Sequence, residues 1–213
     1  MSEPRPGPAE RINLGKPTMP RPASSVILLR RGGRHSDRAL EVLLLRRSEE
    51  ATFMPGVWVF PGGAVDPVDG VDEEGHRACA LRELSEEAGI DLAGAEELVL
   101  FSRWITPEAV KTRFDAWFFL AVAPPHAPPR PDGAETTDAA WFSPRAALDA
   151  HAAGELALVF PTIKQLESLL PHRSSEAAIE AARGREVEAV LPKVIAAGSG
   201  HRVVLPGDPD YPR

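Results

Sequence analysis

The chain has 213 residues, 43% of them hydrophobic and 26% charged, with a formal net charge of -7. That mixture belongs to a globular chain with a full core, and its acidity leaves no electrostatic footprint for duplex DNA or an anionic membrane. A single cysteine, Cys79, excludes an intramolecular disulfide. With no apolar stretch of signal-peptide or membrane-spanning length, the expectation is a cytoplasmic protein without nucleic-acid or membrane partners.

Residues 1–22 are proline-dense and aperiodic and read as a flexible tail. Ala23–Arg30 and Leu40–Arg46 are apolar runs rich in valine, isoleucine and leucine. They read as two strands joined by a loop at Gly32-Gly33 and Ser36-Asp37. Val57–Phe60 is a third strand, stopped by Pro61-Gly62-Gly63. Gly75–Ala88 is a helix ended by Gly89, the residue best suited to the left-handed position after a helix. Glu96–Ile105 and Phe114–Val122 are strands, the latter apolar on both faces. Residues 123–133 carry too many prolines for a central strand and form an extended loop. Pro144–Ala153, Thr162–Leu170 and Ser174–Arg183 are helices, the first two with proline near the start and the third with Ser174 or Ser175 as N-cap. Val187–Leu205 is ambiguous, ending in a short strand pair, and residues 206–213 form a second tail. Residues 23–205 therefore make one α/β domain.

The helix Gly75–Ala88 carries the chemistry. At about 100° per residue, Glu87 lies about 40° from Glu83 on one side and Glu86 about 60° on the other. Three carboxylates share a narrow face, while Leu81, Leu84 and Ala88 point away toward a sheet. Like charges at this spacing repel, and a divalent cation turns the repulsion into attraction because hard cations take oxygen ligands. Gly62-Gly63 follows a strand and offers backbone that can approach a metal closely. Glu74 stands eight residues before Arg82, placed to pair with it.

These residues resemble the Nudix box, Gly-x5-Glu-x7-Arg-Glu-U-x-Glu-Glu-x-Gly-U with U aliphatic. Glu74, Arg82, Glu83, Leu84, Glu86, Glu87, Gly89 and Ile90 occupy every fixed position of its second part. Ten residues rather than five separate Gly63 from Glu74, the excess lying in Asp66–Asp72. Leu43–Ser48, Phe53–Asp66, Trp104–Pro107 and Arg113–Phe119 look like the branch of peroxisomal-type coenzyme A diphosphatases and their bacterial relatives. Thr52 stands where that branch expects arginine.

The resemblance implies an α/β/α sandwich around a mixed sheet, here with extra C-terminal helices, and hydrolysis assisted by Mg²⁺ or Mn²⁺. It makes Glu83 and Glu87 the main metal ligands, with Glu86 and the Gly62 carbonyl contributing. Gly63 supports that turn, and Arg82 holds Glu74. Glu86 or the loop residue Glu135 is the general base, and Arg46 and Arg47 are candidates for the substrate phosphates. The substrate class is a nucleoside diphosphate linked to another moiety, with coenzyme A or an acyl-coenzyme A preferred. ADP-ribose or a dinucleotide is the alternative, and a catalytically silent nucleotide sensor is the rival from another class. A homodimer is left open. Trp58, Trp104, Trp117 and Phe118 read as packing residues, His76 as a solvated residue at the helix start, and Cys79 as a small buried hydrophobe.

Overall fold

The computed structural model describes residues 13, 15–32, 40–51, 53–70, 72–197 and 200–212. Thr52, most of the first interstrand loop and nearly all of the first twelve-odd tail residues lie outside them. The first strand, β1 (Arg21–Arg30), shows why the chain forms layers. Its alternating residues Ile27 and Leu29 belong to one core and Val26 and Leu28 to another, on opposite faces of the sheet. β2 (Glu41–Arg47) does the same, with Val42 and Leu44 on one side and Leu43 and Leu45 on the other.

β1 starts at Arg21, inside the stretch read as tail, because Arg21 and Pro22 pair in register with Phe114 and Asp115 of the central strand β6 (Phe114–Val122). The residues just before it are also held. Asn13 donates its N–H to the Ala109 carbonyl at 2.7 Å, and Arg113 donates to the Thr18 carbonyl at 2.5 Å. The domain therefore begins ahead of residue 23.

The remaining strands are β3 (Trp58–Val59), β4 (Gly62–Ala64), β5 (Val99–Ile105), β7 (Thr136–Phe142) and β8 (Ala189–Val190). With β1, β2 and β6 they complete an eight-stranded mixed sheet in which β1–β6 and β5–β8 run parallel. β4 was read only as a turn; pairing of Gly62 and Gly63 with Ser25 and Ser24 makes it a strand. β7 was not foreseen, because Thr-Thr-Asp-Ala-Ala-Trp-Phe has no apolar alternation and owes its conformation to pairing along β2.

Helix α1 (Asp72–Ala88) covers one face of the sheet through Ala80, Leu84 and Ala88. Helices α2 (Pro144–Ala152), α3 (Phe160–Leu169) and α4 (Ser175–Ala182) cover the other. This is the α/β/α sandwich. Ser174 caps α4 by accepting from the Ala177 N–H at 3.2 Å. A separate hairpin, β9 (Lys193–Ala197) with β10 (Gly200–Val204), follows β8 and fulfils the expectation of a late strand pair.

One irregularity of the sheet positions the site. β1 and β2 pair only at Leu29/Val42 and Arg30/Glu41. Below that the strands part, and β4 takes the freed edge of β1 while β3 takes that of β2. The short strands flanking this split bring the glycines and the acidic end of α1 together.

His76 is not solvated. It is buried, its Nδ1 lies 2.8 Å from the Ser24 hydroxyl, and its ring stacks on Trp117 with centroids 4.5 Å apart. Burial pushes its pKa below the ordinary histidine value. The early start of α1 turns this position inward, which a reading of the chain from Gly75 onward misplaces.

Candidate active site

The last turns of α1 lie against β4. Glu87 is buried, and its Oε2 accepts the Gly62 N–H at 2.9 Å. Glu83 is half-buried beside Gly63, so close that a Cβ at residue 63 would stand 2.4 Å from Glu83 Oε1. At residue 62 a Cβ would lie 2.3 Å from the Ser24 carbonyl oxygen. A side chain at residue 62 would collide with the backbone of β1, and one at residue 63 would displace the Glu83 carboxylate. The hydrogen bond that the structure shows between β4 and the carboxylates uses the Gly62 N–H.

Arg82 organises the third side, and here the sequence reading is corrected. Arg82 holds Asp69, not Glu74, in a bidentate pair, Nε to Oδ1 at 2.9 Å and Nη2 to Oδ2 at 2.8 Å. Glu74 is exposed in the first turn of α1. Eight residues along one helix separate two positions by about 12 Å, too far for a salt bridge. The chain between β4 and α1 instead folds back on itself. The Asp69 N–H donates to the Asp66 carbonyl and the Asp66 N–H to Asp69 Oδ2, at 2.9 and 2.8 Å. That turn buries the Asp69 side chain to 4% exposure, and Arg82 holds its carboxyl below the usual carboxylate range. The signal was present in the spacing, since five residues lie between Gly63 and Asp69. The extra residues fall between Asp69 and Arg82.

The remaining Arg82 nitrogen, Nη1, donates to Glu83 at 2.8 Å and to Glu86 at 3.1 Å. All three carboxylates of the helix face line one cavity, but they differ in burial: Glu83 and Glu87 go inward, while Glu86 stays exposed at its edge and pairs with Arg82. Cys79 packs under the same turn. Burial pushes its thiol up to about 12, which leaves it a packing group rather than a nucleophile.

Glu83 and Glu87 open into a cavity of about 850 Å³. Arg47 lines it, anchored by its Nε donating to the Phe53 carbonyl at 3.0 Å, and its charge favours ionised Glu87. Arg46 does not line it; a bulge between the two residues separates them, and Arg46 pairs with Glu49 at 2.5 Å. Glu135 lines the cavity from the opposite loop, and its charge disfavours ionisation of both Glu83 and Glu87. That loop is fixed to α1, because the buried Thr136 hydroxyl donates to the Glu87 carbonyl at 3.0 Å. Asp132 orders the turn by accepting the N–H groups of Glu135 and Thr136 at 3.1 and 2.8 Å. Trp104 lines the cavity as well as packing edge-on to Phe160, whereas Trp58 packs on Phe142.

Burial raises the pKa of Glu83 and lifts Glu87 to about 7, with their mutual repulsion adding to both the strain and the need for a positive partner. The donor set is hard oxygen. Among the described residues no three histidine, cysteine or acidic side chains converge into a closed metal site. An open pair of carboxylates completed by water and phosphate oxygens is the arrangement that suits magnesium or manganese. The residues fit such an ion.

A layered α/β/α domain with a glycine strand packed against a Glu-bearing helix defines a class of fold and site together. The NUDIX domain model matches residues 19–162, and the chain belongs to that family. A Caenorhabditis elegans protein described as "Putative nudix hydrolase 7" is 29% identical over 191 residues, covering 73% of this chain. The match takes in 63% of that relative's own length. The crystal structure of a NUDIX hydrolase from Alicyclobacillus acidocaldarius is 29% identical and superposes with a TM-score of 0.69, over 76% of this chain and 96% of the other. The NUDIX domain of Shewanella oneidensis NrtR, solved with ADP ribose, is 19% identical with a TM-score of 0.52 over 70% of this chain and 86% of that one, a likeness of fold.

Proposed function

We propose that this chain hydrolyses the diphosphate bond of a nucleoside diphosphate linked to another moiety, with coenzyme A or an acyl-coenzyme A as the preferred substrate. The observation that carries the reading is the placement of Glu83 and Glu87, two desolvated carboxylates side by side at the edge of an 850 Å³ cavity, with Arg47 beside them. Family membership and the likeness to the Alicyclobacillus hydrolase support it. The stretches Phe53–Asp66 and Trp104–Pro107 support the coenzyme A choice through the resemblance they carry.

Glu83 and Glu87 would hold Mg²⁺ or Mn²⁺, which supplies charge neutralisation for the diphosphate and acidifies a bound water. Gly62 orients Glu87 through its N–H, and Arg82 orients Glu83. Arg47 meets a phosphate oxygen with the face of its guanidinium left free by the Phe53 contact. Glu135 is the base that takes the proton of the attacking water. It faces the two carboxylates across the cavity, and among the described residues no cation pairs with it as Arg82 pairs with Glu86.

The test is an assay of the full chain with Mg²⁺ or Mn²⁺ against coenzyme A, an acyl-coenzyme A, ADP-ribose and a dinucleoside polyphosphate. The expected products from coenzyme A are phosphopantetheine and an adenosine bisphosphate, and a chelator abolishes them. Brisk ADP-ribose turnover without coenzyme A cleavage would replace the substrate choice. Tight nucleotide binding with no turnover of any of the four would favour the sensor.

A further inference from the structure

The cavity is not uniform, and part of its lining comes from residues outside the matched domain. Near α1 it is ringed by Arg47, Arg82, Glu83, Glu87 and Glu135. Three strands across the sheet from β4, by the register Ala64–Ala23–Ala116–Trp104, the lining is Trp104 and Ile105 of β5 and Phe160 of α3, which packs on Trp104, and it also takes in Val194 and Val203 of the C-terminal hairpin. Val194 and Val203 pair with each other across that hairpin, so they present one apolar patch from two strands. Both are only half-buried, as befits side chains that face a cavity rather than a core. The NUDIX domain model ends at residue 162, so the hairpin is an addition that this chain brings to its own pocket.

We infer that the C-terminal hairpin is a specificity wall, and that Val194 and Val203 select, among the substrates proposed above, one whose linked moiety carries an apolar chain, as an acyl-coenzyme A does. The reading rests on the diphosphate end being held as proposed above. The paired carboxylates fix the direction of the ligand, since Glu83 and Glu87 stand at the α1 end; Arg21, in register with Phe114, is a further cation in the lining. The chemistry of the wall fixes what lies at the other end. Trp104, Ile105, Phe160, Val194 and Val203 carry between them a single polar hydrogen, the Trp104 indole N–H, which meets no acceptor among the described residues. Thr106 nearby already accepts the Phe114 N–H at 3.0 Å. A purine or a sugar brought to this wall would leave several donors and acceptors without partners, which costs affinity for each one. An aliphatic chain brings none, and each methylene it buries is worth about fourfold in affinity.

The experiment is calorimetric titration of the full chain, in the presence of Mn²⁺, with methylenebisphosphonate and with its decyl-substituted form, neither of which can be hydrolysed. The decyl compound is expected to bind at least tenfold more tightly, a margin reached once roughly two methylenes are buried. In V203D the ratio of the two affinities is expected to collapse to within about threefold, because the introduced carboxylate must be desolvated by the chain. Should V203D fail to fold, the isosteric double substitution V194T/V203T carries the same comparison with a smaller collapse. A wild-type ratio near one, or a tenfold ratio that survives the wall substitutions, overturns the inference. The measurement is separable from the hydrolase reading. A ratio that behaves as expected in a chain that turns over no diphosphate would leave the wall standing and remove the activity.

Discussion

The first turns of α1 and its last turns are both acidic, and they differ in almost everything that a function could use. Asp72, Glu73 and Glu74 are exposed at the helix N-terminus, where negative charge is favoured by the macrodipole. Glu73 is further occupied by an i,i+4 pair with Arg77 at 2.6 Å. Glu83, Glu86 and Glu87 sit at the opposite end, where the dipole disfavours them and no basic residue follows in the last turn. Two of the three are drawn out of water as well. The first cluster stabilises the helix; the second opposes it through the dipole, mutual repulsion and desolvation, offset in part by Arg82 and the Gly62 N–H. Carboxylates kept where they destabilise are the ones to test for chemistry.

The sharpest way to break that contrast is to neutralise one end. Glu87→Gln keeps the shape and the acceptor for the Gly62 N–H but removes the charge. Turnover is expected to fall by ~10²-fold or more, since the cation loses a ligand. The same substitution is expected to raise the melting temperature of the chelator-treated protein. Activity and stability moving in opposite directions would separate a functional carboxylate from a structural one. Parallel losses in both would contradict the comparison. Glu135→Gln is expected to lower kcat by about 10²-fold with little change in metal affinity, measured by turnover and by Mn²⁺ titration.

Next in size is Asp69→Asn, which halves the anchor of Arg82. Released from the bidentate pair, the guanidinium can lean on Glu83 and Glu86 and compete with the cation. We expect kcat to drop by about tenfold and the apparent Mn²⁺ affinity to weaken by about as much, in line with the loss of an outer partner of a metal ligand. Asp69→Glu, which restores the charge, should recover part of both. Failure of the glutamate to recover either would reduce Asp69 to a loop-folding residue.

The pH dependence compares the same two ends without mutation. Burial lifts Glu87 to about 7, so between the ordinary glutamate range and about 7 the folded chain holds a proton that the unfolded chain has lost. The unfolded state binds fewer protons there, so stability falls as pH rises through that window. Metal-free protein should lose up to about 3 kcal/mol between pH 4.5 and pH 7.5 from this group. Buried His76 works the other way, because its lowered pKa makes stability fall as pH drops. Melting curves of wild type and Glu87→Gln at matched pH isolate Glu87 by difference. Saturating Mg²⁺ at pH 7.5 should restore the lost stability, since the ion requires the deprotonated carboxylates. A flat difference between the two proteins across pH would remove the burial argument.

What the sequence disclosed depended on how local the cause was. The acidic face of α1 and the glycine that ends it follow from helical periodicity, whereas the partner of Arg82 does not. The strands β1, β2, β5 and β6 were legible because each alternates or runs apolar against two cores. β4 and β7 were not, because Gly62-Gly63 and Thr136–Asp138 are strands only through their partners on β1 and β2. The parting of β1 from β2, which makes room for the site, is likewise a property of pairing. Arg47 and Arg46 are neighbours in sequence, and only the bulge decides which one reaches the cavity. Asp69 was within reach through its spacing from Gly63, but the better match of Glu74 to the box drew the pairing to the wrong acid.

Glu74→Gln is the smallest expected effect and the most discriminating of the register at Arg82. Glu74 is exposed, and its backbone N–H donates to Asp72 Oδ1 at 3.0 Å, a bond the substitution leaves intact. Losing one of three carboxylates near the helix N-terminus should cost no more than about 0.5 kcal/mol. Turnover and Mn²⁺ affinity should stay within about twofold of wild type, because among the described residues no side-chain hydrogen bond or ion pair links Glu74 to Arg82, Glu83 or Glu87. Combining it with Asp69→Asn gives a stricter measurement, since two independent sites add while two residues sharing Arg82 do not. A Glu74→Gln loss as large as that of Asp69→Asn, or a double variant far worse than the sum of the two, would return Glu74 to the site and put the five-residue spacing of Gly63 and Asp69 down to coincidence.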